Sequence, residues 1–231
     1  MAVGPSLTFK VATEDWEFEQ VHSLNYRTFV EEIPQHEANT ERALIDKFHR
    51  ENTYLICLDG REVVGMVAVR DKRPFSLDYK LSNLDSYLPP AQKICEVRLL
   101  SIEADRRRGR IFPGLLKLLA EHCMAQGYEV AVISGTVRQL RLYEHMGFTA
   151  FGPLVGTAEA CYQPMYITRD VFVKKLDAFR RLMTTDPAAA ERIVNLLPGP
   201  VGISERVRNR GLALAALAVA GVAVAIIGGT A

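Results

Sequence analysis

Two charged residues interrupt an apolar run from Lys93 to Ile102. Such a run predicts a β-strand, and because Glu96 and Arg98 are two residues apart, their side chains would share one face of it. Burial disfavours the charged form of a carboxylate, so Glu96 is a candidate general base near neutral pH. Arg98 beside it could bind a carboxylate. In the alternative interpretation, the two side chains only neutralise each other at the end of a strand.

A basic turn follows this strand. Asp105 leads into a run that is too charged to pack in a core, Arg106-Arg107-Arg108-Gly109-Arg110. Leucines then recur at helical spacing from Leu115 to Leu119, and Gly127 marks the end of the helix. Backbone N–H groups at a helix start, reinforced by guanidinium groups, form a binding site for anions. The turn therefore predicts a phosphate site.

The basic turn and a later segment, Leu142-Tyr143-Glu144-His145-Met146-Gly147-Phe148, together resemble the core of the GNAT N-acyltransferase superfamily. The superfamily turn reads R-x-x-G-x-G/A; here Gly109 supplies the first glycine, and Ile111 stands where the second would be. The resemblance implies an α/β fold with a mixed, mainly antiparallel central sheet flanked by helices. It also implies that an amine attacks the thioester carbonyl of an acyl donor directly, without a covalent enzyme intermediate.

The same resemblance implies roles for further residues. A bulge in the central strand would expose backbone groups at Leu100 and Ile102. The pantetheine arm of the donor could then lie between this strand and the next one. The turn from Arg106 to Ile111 would receive the phosphate end of the donor. Tyr143 matches the tyrosine that protonates the leaving thiolate. The alternative for Tyr143 is a buried aromatic that only packs under the sheet.

A helix end near the N-terminus carries a second, looser resemblance. Tyr26-Arg27-Thr28-Phe29-Val30-Glu31-Glu32 is similar to the RY-x-VF-x-E signature of GNAT relatives that use long acyl donors, with the first two residues reversed. Those relatives are N-acyl amino acid synthases, acyl-homoserine-lactone synthases and ornithine-lipid N-acyltransferases. Arg27 and Glu32 are accordingly candidate substrate-binding residues, and the alternative is a solvated helix end with an ordinary Arg–Glu pair. In their central strand these relatives carry E-x-x-R, where this chain has E-x-R.

The identity of the donor stays open between two carriers. Bulky Ile111, Phe112 and Pro113 would crowd a coenzyme A pyrophosphate, whereas an arginine cluster suits a phosphate or the acidic surface of an acyl carrier protein. The sequence favours the carrier protein, with acyl-CoA as the alternative. We expect no metal, because no histidine has a partner at metal-ligand spacing.

The remaining patterns predict the elements that position these residues. They indicate a first strand, a helix to about Val30, a short helix, a hairpin around Asp59-Gly60, a long connection and a last strand paired with Val130–Gly135. The long connection would be either a lid over a substrate pocket or a plain surface loop. The short helix is predicted at Thr40–Arg50, and the hairpin strands are predicted at Thr53–Leu58 and Glu62–Val69. The long connection is Arg70–Pro90, and the last strand is Glu159–Thr168.

Composition bounds the partners and the compartment. A length of 231 residues suits one domain with an appendage, and a net charge of +1 gives no field that would favour nucleic acid. The cysteines are far apart, without a C-x-x-C pair, and Met1–Lys10 has no signal-peptide pattern, so we expect reduced thiols in a cytoplasmic domain. They are Cys57, Cys95, Cys123 and Cys161.

The C-terminal part changes character. We place the GNAT domain at residues 1–185, a linker with a short helix at 186–210 and an apolar tail at 211–229. Asn195–Val201 and Ser204–Arg208 resemble the opening of class V aminotransferases, but no lysine-bearing domain follows, so no pyridoxal phosphate is expected. The tail is long enough for a bilayer, which needs about 20 residues, and the arginines before it would keep the domain at the inner face of a membrane. The alternative is an accidental apolar terminus.

These features favour transfer of a medium or long acyl chain from a thioester to a primary amine such as an amino acid. One alternative is acetyl-CoA-dependent N-acetylation of a small amine. Another is a non-catalytic remnant of a fused protein that only binds an acyl thioester.

Overall fold

A computed structural model describes residues 7–33, 35–107, 110–137, 140–156 and 161–175. The strands are β1 (Leu7–Val11), β2 (Thr53–Asp59), β3 (Glu62–Arg70), β4 (Ile94–Ile102), β5 (Val130–Thr136), β6 (Thr149–Ala150), β7 (Val155–Gly156) and β8 (Cys161–Thr168). They form one sheet in the order β1-β2-β3-β4-β5-β8-β6, with β7 also paired to β8. The β4–β5 pair is parallel and the other recorded pairs are antiparallel, so the mixed, mainly antiparallel α/β fold is confirmed.

Helices cover both faces of the sheet. They are α1 (Asp15–Tyr26), α2 (Ile111–Gln126) and α3 (Leu140–Met146), and residues 169–175 are also helical. Along β2, Tyr54 and Ile56 belong to the apolar cluster beneath α1, whereas Leu55 and Cys57 belong to the cluster beneath α2. Because successive side chains of a strand point to opposite faces, α1 and α2 lie on opposite sides of the sheet.

The end of α1 widens into a π-helical turn, Arg27–Glu32, where the sequence predicts a helix to about Val30. Such turns inside helices are frequent at functional sites. The π-helical turn places Arg27 and Glu32 near the basic turn after β4, where Arg27 pairs with Glu103 and Glu32 pairs with Arg107.

The central strand contains a bulge. Against β3, Met66 pairs with Ser101 and Ala68 pairs with Arg98, so the single residue Val67 faces both Leu99 and Leu100. Leu99 has a φ of 51°, which a non-glycine residue rarely adopts. The expected irregularity in this strand therefore begins just before the predicted Leu100–Ile102.

One predicted helix is wrong. Residues from Thr40 to Arg50 form a turn at Thr40 and Glu41 and a 3₁₀ turn at His49–Glu51, not a continuous helix. The Asn39 side chain bonds to both backbone groups of Ala43, and Asp46 Oδ1 accepts a hydrogen bond from Phe48 N at 2.9 Å. These local side-chain bonds satisfy backbone groups in a conformation that competes with a helix.

The long connection between β3 and β4 forms a packed layer, which we call the cover segment (residues 71–93). It buries Phe75, Leu77, Leu81 and Leu84 against Val130, Val132 and Tyr162 of the sheet. The cover segment therefore closes the α1 side of β5 and β8.

The C-terminal predictions fall on residues outside the described ranges. They include the domain limit at 185, the linker at 186–210, the aminotransferase-like stretch and the apolar tail at 211–229. They stay predictions from the sequence. Within the described ranges, no helix has the length and apolar character that crossing a bilayer needs.

Candidate active site

The site lies where β4 and β5 part. Their parallel pairing ends at Glu96 opposite Val132, while β4 runs on to Ile102 and β5 to Thr136. The bulge at Leu99 and Leu100 turns β4 away just beyond this point. Both strands therefore have backbone groups along the opening that no ladder between them occupies.

Glu96 lies on the α1 side of the opening and is fully buried. Its Oε2 accepts a hydrogen bond from the backbone N–H of Ser76 at 3.0 Å, and its Oε1 accepts one from the Ser76 hydroxyl. Ser76 belongs to the cover segment, which the sequence suggested as a lid. The base candidate is therefore oriented by the segment that closes over it.

Arg98 shares this face, as the spacing predicted. Its Nη2 donates to Asp46 Oδ2 at 2.9 Å, and its Nε lies 3.8 Å from Glu96 Oε2. The Arg98 guanidinium lies 4.6 Å from the centre of the Phe48 ring, and that of Arg70 lies 3.7 Å from it. Arg98 is therefore part of a buried network that includes Asp46 as well as Glu96.

Several residues of this network were not predicted. Asp46 comes from the segment taken for a helix, Ser76 and Lys80 come from the cover segment, and Arg70 ends β3, where it pairs with Glu51. In the sequence they appear only as polar residues between the apolar residues of long connecting segments.

The opposite side of the opening is an apolar cavity of about 60 Å³. Val97 and Leu100 of β4 and Ile133 of β5 form one wall. Helix α2 supplies the other wall with residues Leu115, Leu116, Leu119, Ala120 and Cys123. The two sides of the opening therefore differ in character: one is charged and the other is apolar.

Tyr143 lies on the apolar side, where it lines the cavity. Its ring packs on β5 so closely that a Cβ atom at Gly135 would lie 2.9 Å from it. Burial raises the pKa of Tyr143 above its usual value, and hydrogen bonding with Thr136 opposes the rise. The phenol is therefore protonated at neutral pH, and its raised pKa also makes it a weaker acid than an exposed tyrosine.

The basic turn is engaged with carboxylates. Arg106 donates to Asp59 Oδ2 at 3.0 Å. Arg107 donates through Nε to Ile102 O at 3.1 Å and through both Nη atoms to Glu32. The predicted substrate-binding residues Arg27 and Glu32 are therefore joined to this region, since Arg27 pairs with Glu103.

The start of α2 completes the turn. Arg110 is the exposed N-cap residue, while Ile111 packs its side chain into the core. Pro113 has no N–H, so the first residues of the helix offer an anion the N–H groups of Ile111 and Phe112. Arg108 and Gly109 of the predicted phosphate site lie outside the described residues. No group of three or more His, Cys, Asp or Glu side chains in the described part of the chain could hold a metal ion.

Comparison with known proteins agrees with this geometry. Residues 24–117 match the model of the acetyltransferase (GNAT) domain. BjaI, a CoA-dependent acyl-homoserine lactone synthase solved with SAM and isopentyl-CoA, superposes with a TM-score of 0.62 and 22% identity, over 76% of this chain and 89% of that one. FeeM, an N-acyl amino acid synthase from uncultured soil microbes, has a TM-score of 0.59 and 14% identity, over 76% of this chain and 96% of FeeM. No curated protein matches the chain by sequence.

The parted strands and the helix–turn arrangement define the GNAT fold. Residues 24–117 match a GNAT acetyltransferase domain, and this match together with the fold supports an N-acyltransferase. The predicted superfamily is confirmed.

Proposed function

We propose that this protein transfers a medium or long acyl chain from a thioester to a primary amine such as an amino acid. The observation that carries the proposal is the contrast between the two sides of the β4–β5 opening. The apolar lining formed by Val97, Ile133 and α2 suits an acyl chain, which gains free energy from apolar burial. At about 60 Å³ the cavity has to widen to hold a medium or long chain. The charged side around Glu96 and Arg98 suits a small polar amine.

The proteins with similar folds agree with this substrate class. BjaI is a CoA-dependent acyl-homoserine lactone synthase, and FeeM is an N-acyl amino acid synthase. Both names refer to acyl products, and the CoA dependence of BjaI supports a CoA thioester as the donor here.

The chemistry would proceed by direct attack. Glu96 accepts a proton from the acceptor ammonium, and the neutral nitrogen attacks the thioester carbonyl carbon. A backbone N–H of the bulged strand near Leu100 stabilises the oxyanion. The C–S bond then breaks, Tyr143 donates its proton to the leaving thiolate, and the extra proton on the new amide nitrogen passes to the Tyr143 phenolate. Glu96 releases the proton that it accepted first to solvent. The products are an amide and a free thiol.

The basic turn would hold the carrier end of the donor. Arg110 is exposed at the start of α2, next to the N–H groups of Ile111 and Phe112. Arg106 and Arg107 already pair with Asp59 and Glu32, so a phosphate would have to compete with these carboxylates. An acidic acyl carrier protein could instead dock on the exposed cations, and we keep both carriers as donors to be tested.

The test is thiol release by the full chain with a pool of amino acids. The donors are acetyl-CoA, palmitoyl-CoA and palmitoyl-acyl carrier protein. We expect amine-dependent thiol release with the palmitoyl donors, and little with acetyl-CoA. A preference for acetyl-CoA would instead indicate a small-molecule N-acetyltransferase. Donor binding without turnover would indicate a protein that only binds acyl thioesters.

A further inference from the structure

Lys80 belongs to the cover segment, and its side chain points towards the sheet. Leu77 and Leu81 on either side of it are buried in the apolar layer over β5 and β8. The Lys80 Nζ atom lies 5.1 Å from the centre of the Tyr162 ring of β8. The packing of its neighbours therefore fixes where the ammonium lies.

The Lys80 ammonium has no hydrogen-bond partner among the described residues, although Nζ is buried. Burial lowers the pKa of Lys80 to about 8; Glu96 opposes this shift, while Arg98 and Lys47 add to it. Each oxygen of Glu96 accepts one hydrogen bond from Ser76, and neither accepts one from Lys80. A buried cation without an acceptor costs free energy, so the site calls for a ligand that accepts hydrogen bonds.

Arg98 also has buried donor groups without a hydrogen-bond acceptor. Its Nη2 donates to Asp46, but its Nε and Nη1 atoms make no hydrogen bond within the described ranges, and the side chain is fully buried. Two cationic groups from separate elements, β4 and the cover segment, thus keep donors unused on the α1 side of the sheet. Ser101 and Ser134, whose buried hydroxyls also have no bond to a described residue, add polar groups to the same face.

We propose that Lys80 and Arg98 together bind a carboxylate group of the acceptor, under the cover segment. This inference rests on the proposed acyl transfer and names the acceptor class: amines that carry a free carboxylate. A carboxylate has two oxygens with about four acceptor positions, enough for both cations. An amide or a simple amine would leave the unused donors of Lys80 and Arg98 without a charged acceptor, and such sites reject analogues that lack the group they bind.

The test compares two probes that differ only in the carboxylate, N-dodecanoyl-L-leucine and its amide. Both have the form of the product, so binding is measured without turnover. We expect the unchanged protein to bind the acid about tenfold or more tightly than the amide, the size of a charge-assisted hydrogen bond. Lys80→Met should reduce this preference to about threefold or less, and Lys80→Arg should retain it because the cation remains.

Lys47→Met is the matched control. Lys47 is exposed and stacks on Phe48 and Tyr79, so its loss should leave the acid-to-amide ratio unchanged. In the unchanged protein the ratio should fall as the pH rises through about 8, where Lys80 loses its charge.

Three outcomes would overturn the inference: equal binding of acid and amide, an unchanged ratio in Lys80→Met, or equal losses for both probes in that variant. Each is compatible with amine-dependent thiol release, so the proposed function would survive it. If the unchanged protein releases no thiol with any donor, the proposed function fails, whatever the binding ratio.

Discussion

Glu96 and Arg98 hold different kinds of partners although they share one face of β4. Glu96 is oriented by Ser76 of the cover segment, and Arg98 is oriented by Asp46. A base must be fixed within reach of the proton that it accepts, and the two bonds from Ser76 provide that fixation. In our proposal Arg98 binds the carboxylate of the acceptor, in addition to its ion pairs with Asp46 and Glu96.

Glu96→Gln tests the base directly. Glutamine keeps the shape but cannot accept the proton, so kcat should fall by about a hundredfold or more. Ser76→Ala removes only the hydroxyl bond and should have a smaller effect. Both rates are measured as thiol release with a palmitoyl donor, and circular dichroism checks the fold. If Glu96→Gln retained full activity, another group would have to accept the proton.

At the residue scale, the sequence predicted the pair in the strand and missed its partners. Strand periodicity places Glu96 and Arg98 on one face without further knowledge. Asp46, Ser76 and Lys80 lie in irregular segments, and no periodicity says which way such residues point. Their contacts depend on how the segments fold back over the sheet.

At the scale of elements, the bulge and helix α2 decide what enters the opening. The bulge at Leu99 and Leu100 separates β4 from β5. Helix α2 closes the apolar cavity on its own side of the opening. The α2 wall is apolar where it faces the opening, and its small residue Ala120 leaves room beside Leu119. The depth of this cavity should therefore limit the length of the acyl chain.

Ala120→Leu tests that limit. The larger side chain should reduce thiol release from palmitoyl donors about tenfold, while acetyl and butanoyl donors keep their rates. Glu121→Leu is the control, because the neighbouring side chain is 57% exposed. Extra volume in a packed region costs about 1–3 kcal/mol, so thermal unfolding is measured in parallel. Equal losses with short and long donors would contradict the assignment of the cavity.

The elements themselves were predictable to different degrees. The hairpin of β2 and β3 was correct to within about one residue, because Asp59-Gly60 and the apolar runs agree. The helix at Thr40–Arg50 was wrong, because Leu44, Ile45 and Phe48 have helical spacing but Asn39 and Asp46 bond to the local backbone. The π-helical turn at Arg27–Glu32 continues a helical pattern, so the sequence gives no sign of it.

At the scale of the whole molecule, the proposed reaction places the two substrates on opposite sides of the sheet. The acyl chain would lie on the α2 side, the amine would lie on the α1 side, and the thioester carbonyl would lie between β4 and β5. The cover segment closes the amine side, which keeps bulk water from the thioester. Both substrates must then be bound at once.

Initial rates at varied donor and acceptor concentrations test this central claim most directly. The full chain, a palmitoyl donor and its best amino acid are used, and thiol release is recorded. Direct attack in a complex of both substrates predicts reciprocal plots that intersect, with no thiol released before the amine is added. Parallel plots, or a burst of thiol without amine, would show an acyl-enzyme intermediate and would contradict the account.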